Sequence, residues 1–336
     1  GASCCANHFP FLTRHLICFW FIGMPTGFIT HPECLAHDTG AMHPESAERL
    51  RYTLNALQGS ELWPRLNHLV PPPATLEDLQ LVHPATYIAR IQRACDGSQP
   101  LLDNDTVVCP RSFTASCHAI GAALHACDQV MAGQVHNAFC AIRPPGHHAE
   151  GAKAMGFCLF NNIAIAARHL QVRHGLQRVL IVDWDVHHGN GTQDIFYRDP
   201  SVFFFSIHQH PLYPGTGAWN EAGEGPGLGT TLNVPLPIGS GDMAYFDAFE
   251  LELAPAVARF KPDFILISAG FDAHENDPLA GMRVTDSGFA VLTRMVRHLA
   301  EEHCQGRLVS LLEGGYRLSG LSHGIMAHLS ALLDRE

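Results

Sequence analysis

Two aspartates and two histidines fall close together, at Asp183, Asp185, His187 and His188, between the apolar run 179–182 and the glycines Gly189 and Gly191. In extended backbone Asp183, Asp185 and His187 share one face. An Asp-x-His pair there offers one hard oxygen and one imidazole nitrogen, which is half of a metal site. The plain alternative is a capped strand end with solvated acids. Three other apolar segments end in comparable clusters. Residues 138–142 deliver Arg143-Pro144-Pro145-Gly146-His147-His148, residues 264–268 lead through Ala-Gly-Phe to Asp272, and residues 308–312 lead to Glu313-Gly314-Gly315-Tyr316. Catalytic zinc takes three protein ligands and keeps a position for water, a set that Asp185, His187 and Asp272 would supply. His147 and His148 then become the groups that take a proton from water and return it to a leaving amine. Asp183 and Asn190 remain as orienting partners for the second ring nitrogens. Tyr316, on a Gly-Gly turn that permits close approach, can donate its hydroxyl to an oxyanion.

Such a convergence requires the four apolar segments to be parallel strands of one sheet, because the ligand crevice of an open α/β sheet lies beyond the carboxyl ends of its strands. The pattern along the chain meets that requirement. Strand patterns at 27–30, 138–142, 179–182, 202–207, 264–268 and 308–312 are separated by helical patterns at 43–57, 76–82, 87–94, 114–131, 160–170, 244–260, 286–303 and 321–333. This alternation predicts right-handed crossovers and a mostly parallel sheet covered by helices on both faces. No internal repeat, low-complexity tract or linker interrupts it, so a single domain is expected.

The chain has 336 residues, 46% of them apolar and 16% charged, ample for a buried core. Its net charge of -11, with no basic run, excludes a nucleic-acid partner and suits cationic substrates such as lysine side chains or amines. The eleven cysteines include no Cys-x-x-Cys pair, which fits free thiols in a reducing compartment and not a zinc finger or disulfide scaffold. Residues 1–23 lack acidic side chains, and their apolar patch at 16–22 is too short to span a bilayer. They read as translated upstream sequence ahead of a domain that starts at Met24, a targeting segment being the alternative. A cytoplasmic, bacterial location is expected, with no membrane partner; the sequence leaves assembly open, a homo-oligomer included.

The motifs Arg-Pro-Pro-Gly-His-His (143–148), Gly-Phe-Cys (156–158), Asp-Trp-Asp-Val-His-His-Gly-Asn-Gly (183–191), Ser-Ala-Gly-Phe-Asp (268–272), Asp-Pro-Leu (277–279) and Leu-Glu-Gly-Gly-Tyr (312–316) resemble the zinc-dependent histone deacetylase family. The match runs in order over 27–333 and is nearest to the class II branch and the bacterial deacetylase-like amidohydrolases. The resemblance implies an arginase-like α/β fold, with a deacetylase catalytic domain over 24–336 and a central sheet of about eight strands. It makes Asp185, His187 and Asp272 zinc ligands, pairs His147 with Asp183 and His148 with Asn190, and gives Tyr316 the acyl carbonyl. Class I relatives carry Asp in place of Asn190. A neutral partner fixes the His148 tautomer without stabilising its charged form, so His148 is expected to be the less basic ring and the neutral base.

The same resemblance implies an acyl-lysine tunnel between Gly156-Phe157 and Leu212-Tyr213, with Asp105 as a rim acid holding a substrate amide. It also implies a potassium ion on the backbone of Asp183, Asp185 and His187 with Ser206 and Ile207, the alternative being that Ser206 simply ends a strand. Arg49 resembles an internal-channel arginine, or makes a helix-surface salt bridge. His208, His210, His274 and Glu275 are candidates for the tunnel mouth, whereas the remaining histidines, His169 and His174 among them, have no partner motif. The implied reaction is removal of acetyl or other acyl groups from lysine on a peptide or protein. The alternative is deacetylation of polyamines or other small acylated amines. Polyamine-specific relatives carry Glu seven residues after the Asp ligand, where this chain has Leu279. Two other readings are weaker. A binuclear manganese hydrolase would need an acid where Asn190 stands, and a metal-binding module without turnover would not be expected to keep the whole set.

Overall fold

The structure is a computed structural model that describes residues 24–97 and 101–334; the 1–23 extension lies outside the described residues. Eight strands form one sheet: β1 (Thr26–Ile29), β2 (Asn67–Leu69), β3 (Asn137–Cys140), β4 (Val179–Asp183), β5 (Val202–Gln209), β6 (Thr231–Leu236), β7 (Phe264–Ala269) and β8 (Leu308–Leu312). Their order is β2-β1-β3-β8-β7-β4-β5-β6, and every pairing is parallel. β3, β8, β7 and β4 are therefore contiguous. These are the four strands whose ends carry the polar clusters, so the sheet brings the clusters to one rim.

Apolar residues fill these strands because both faces of the sheet are covered. Every residue of β3, β4, β5, β7 and β8 is buried. Each large side chain so buried contributes about 1.5–3 kcal/mol. The crossover helix Asn162–His174 starts at Asn161, whose side chain accepts from the Ala164 amide, and stops at Gly175 in the left-handed conformation. Helix Asp286–Cys304 starts likewise on Thr285, which accepts from Gly288 N.

Differences from the sequence pattern have local causes. The stretch expected as one helix over 244–260 is a helix Asp242–Ala248, a π-helical turn Phe249–Leu253 and a helix Ala254–Phe260. Pro255 has no N–H with which to close an i→i−4 bond, and the wider turn absorbs that loss. The helix expected at 76–82 is only Leu76–Leu79, set by a Thr75/Asp78 capping box. Strands β2 and β6 have no clear sequence pattern, and both lie at sheet edges, where Pro235 is tolerated in β6.

A buried ion cluster ties the N-terminal segment to the rim. Glu45, wholly buried, pairs with Arg143 through both carboxylate oxygens and with Arg49 Nη1 at 3.0 Å. Burial opposes the Glu45 charge, but the two guanidinium groups outweigh it and hold its carboxyl at about 2. A depressed carboxyl stabilises the fold above its ordinary pKa and loses that contribution as pH falls through the folded value. Here the contribution is about 3 kcal/mol, complete above about pH 4.5 and lost toward pH 2. Glu45→Gln is expected to cost about 3–5 kcal/mol at pH 7, because it leaves Arg143 buried without its carboxylate. Urea denaturation from pH 7 to 3 checks this, since the gap between wild type and variant must shrink as pH falls.

Candidate functional site

The loop after β4 folds back so that its side chains meet the ends of β7 and β8. Asp185 Oδ1 accepts from His187 N at 2.9 Å, and its Oδ2 accepts from Gly314 N at 2.7 Å. Asp272 Oδ1 accepts from Val186 N at 2.8 Å. The His187 Nδ1 lies 3.1 Å from Asp185 Oδ1 and 3.1 Å from Asp272 Oδ2. One nitrogen and two carboxylates thus converge within 4.8 Å of one another, all buried or nearly so. Gly314 leaves the space they occupy, since a Cβ there would stand 2.1 Å from Asp272 Oδ2.

The electrostatics fit a cation. Burial and the adjacent Asp185 push the Asp272 carboxyl up to about 7. Burial opposes charge on His187 too, but hydrogen bonds to Asp185 and Asp272 outweigh it and raise the ring to about 10. Two carboxylates buried side by side repel one another, and a divalent ion bound by this N/O set relieves that repulsion.

The histidine pair sits beside this cluster, its rings 4.0 Å apart. His147 Nδ1 is 2.9 Å from Asp183 Oδ2, and His148 Nδ1 is 2.8 Å from Asn190 Oδ1. Burial disfavours charge on both, yet the Asp183 and Asp185 carboxylates hold His147 well above the usual histidine value. For His148, burial and the charges on His147 and His187 act together and push it well below. Their surroundings thus push the two rings in opposite directions, His147 toward its charged form and His148 toward its neutral one.

A cavity of about 210 Å³ leads to these groups, lined by Asp105, His148, Gly156, Phe157, His187, Leu212, Tyr213, Leu279 and Tyr316. It is smaller than the roughly 300–1,000 Å³ of sites for drug-sized ligands and suits a single linear chain. Gly156 and Phe157 both have positive φ, 56° and 68°. A Cβ at Gly156 would stand 2.5 Å from the His148 ring. The less usual backbone of Phe157 is held by a 3.2 Å bond from its N–H to Thr106 Oγ1. Its ring meets Tyr316 edge-on at 5.9 Å, and Tyr213 meets His148 edge-on at 5.1 Å.

Every candidate read from the motifs lies at this rim, but four residues named for the tunnel mouth do not. His208 is buried, with Nδ1 2.9 Å from Ser206 Oγ and Nε2 3.0 Å from Gly217 O. His274 is buried against Asp286 at 3.0 Å. His210 and Glu275 are exposed and do not line the cavity. Strand patterning predicts that side chains just past a strand end reach the crevice, but β5 runs two residues longer than expected and keeps His208 inside. Asp183 and Ser206 are direct partners across β4 and β5, and the Ser206 hydroxyl is engaged by His208. Arg49 is wholly buried, which removes the surface salt-bridge reading.

Sequence reasoning gave no role to three supporting residues, Glu313, Asp277 and Glu150, and no contacts to Arg49. Buried Glu313 accepts from Gly146 N at 2.7 Å and His147 N at 3.2 Å, which fixes the histidine loop. Asp277 accepts from Tyr316 N at 2.7 Å, and Arg49 donates to Gly315 O and Glu313 O, each at 2.6 Å, with its guanidinium 4.9 Å over the Tyr316 ring. Glu150 accepts from Asn190 Nδ2 at 3.2 Å. A carboxylate only accepts, so Asn190 must turn its Oδ1 toward His148, which leaves the other His148 nitrogen free as a base. The Glu313 and Asp277 motifs were visible in the sequence; the contacts that explain them join residues 39 to 167 positions apart.

A family model described as histone deacetylase domain matches residues 43–332. The chain is 44% identical over 316 residues to histone deacetylase 14, chloroplastic, of Arabidopsis thaliana, covering 88% of this chain and 74% of that protein. It is 43% identical to a probable deacetylase of Archaeoglobus fulgidus, covering 88% and 83%, and 42% identical to a histone deacetylase-like amidohydrolase of Pseudomonas aeruginosa, covering 89% and 80%. Among solved structures, the crystal structure of the HDA15 HD domain superposes with a TM-score of 0.87 at 37% identity, over 92% of this chain and 88% of that one. No helix among the described residues is long and apolar enough to cross a membrane.

Proposed function

The chain belongs to the histone deacetylase family and is an amide-hydrolysing deacetylase with the arginase-like deacetylase fold, and from that premise we propose that it is a zinc-dependent enzyme removing acetyl or other acyl groups from the ε-amine of lysine. The observation that carries this reading is the narrow cavity walled by Phe157 and Tyr213, which ends on His148, His187 and Tyr316. Its aromatic walls can cover a four-carbon stem, and Leu279 at its edge offers no carboxylate to a second ammonium.

Asp185, His187 and Asp272 would hold the zinc, which when bound polarises the acyl carbonyl and acidifies a water. His148, kept neutral by burial and oriented by Asn190, accepts the proton of that water. Tyr316 donates its hydroxyl to the oxyanion that develops on the carbonyl. His147, held charged by Asp183, gives a proton to the departing amine. The same reading assigns a potassium ion to the backbone of Asp183, Asp185, His187, Ser206 and Ile207, where it would offset the carboxylates above it.

The charge split within the histidine pair makes a pH prediction. Asn190→Asp places a carboxylate against His148, raises its pKa, and moves the acidic limb of kcat/KM to higher pH. An unchanged pH-rate profile removes His148 as the base.

Asp105 favours the second reading, deacetylation of small acylated polyamines, because it lines the cavity and can attract a second cationic group. Turnover of an acetyl-lysine peptide against acetylated spermidine separates the two. Preference for the peptide supports the lysine reading, and preference for spermidine transfers substrate selection to Asp105.

A further inference from the structure

Two histidines without a partner motif converge on one carboxylate at the opposite end of the sheet from the rim. His169 and His174 lie in the last turns of helix Asn162–His174, which leads into the start of β4. Asp128 lies in the last turn of helix Ser112–Met131, which leads into β3. His169 Nε2 and His174 Nε2 each stand 2.7 Å from the same Asp128 oxygen, and the rings are 5.7 Å apart at 70° to one another. The three donor atoms lie within 4.8 Å of one another. Burial opposes the Asp128 charge, but the two histidines hold its carboxyl below the usual range, so it is an anion at neutral pH.

We propose that Asp128, His169 and His174 form a second metal site, for a divalent transition-metal ion of the zinc class, that clamps the ends of these two helices. Two imidazole nitrogens and one carboxylate oxygen are the donor types that zinc, nickel and copper select over magnesium or calcium. Tetrahedral ligands about 2.0–2.1 Å from an ion stand roughly 3.4 Å apart, so each 2.7 Å hydrogen bond must open by well under an ångström. Asp128 can make that adjustment because its side chain is 43% exposed. Each imidazole needs only to carry its proton on Nδ1. A cavity of about 450 Å³ reaches Asp128 and His169 and gives the ion a position open to water. Asp78 and Glu77 on its wall favour a cation, against Arg173, which opposes one.

The site joins the helices preceding β3 and β4, so its occupancy is read in stability and not in chemistry. Metal-stripped full-length protein is titrated with Zn²⁺ against a chromophoric chelator, with thermal unfolding followed in parallel. The expected result is two sites per chain in wild type. Asp272→Ala keeps the Asp128 site only; His174→Ala and His174→Gln keep the catalytic site only, with wild-type turnover of acetyl-lysine peptide. The second equivalent raises the wild-type Tm and leaves that of His174→Gln unchanged. A single site in wild type, or wild-type stoichiometry in both His174 variants, overturns the proposal and shows the cluster to be a hydrogen-bonded His-Asp-His bridge. Two sites persisting in Asp272→Ala would instead refute the catalytic ligand assignment.

Discussion

Tyr316→Phe is expected to keep its metal and its fold while losing about 10²–10³ in kcat, the cost of removing one preorganised donor from an oxyanion. The substitution deletes one hydroxyl and nothing that positions the ring. The ring rests under the Arg49 guanidinium and edge-on to Phe157, and the backbone is held through Tyr316 N to Asp277. Burial raises the Tyr316 hydroxyl well above its ordinary value, so it stays protonated and remains a donor across the working pH range. KM should change little, because the hydroxyl acts where charge develops and not where the lysine stem is held. Steady-state kinetics with metal analysis on one preparation checks this. A variant within threefold of wild type would remove Tyr316 from the chemistry.

Asp272→Ala is expected to lose the catalytic metal and with it all turnover above background. The fall should exceed the roughly 10–100-fold cost of losing a mere supporting partner of a ligand. The residue has two tasks: its Oδ2 faces His187 Nδ1, and its Oδ1 accepts from Val186 N. Asp272→Asn keeps an acceptor for the Val186 amide while removing the charge, so it separates metal loss from local unfolding. Retained metal at this site in both variants would contradict the ligand assignment.

The four strand-end clusters were legible because each strand is buried on both faces, so the change from apolar to polar residues marks its end without ambiguity. That explains why Asp183, Asp185, His187 and Asp272 could be assembled before any fold was known, and why β2 and β6, half-solvated at the edges, left no comparable trace. The sequence also held the neutral partner of His148 in Asn190, but not Glu150, which turns that amide. Arg49 was read as a channel residue or surface pair; its burial with Glu45 and Arg143 depends on packing between residues up to 98 positions apart. The His169/His174 pair was invisible because its carboxylate lies 41 and 46 residues away on another helix.

Metal dependence of acetyl-lysine peptide turnover, measured on stripped protein as zinc is returned, tests the central claim most directly. The account predicts background activity in protein verified free of metal. Recovery should follow occupancy of the site that Asp272→Ala abolishes, and it should be complete at one equivalent there. Undiminished turnover by verified metal-free protein would contradict it, because His148 and Tyr316 would then be cleaving the amide with Asp185, His187 and Asp272 holding nothing.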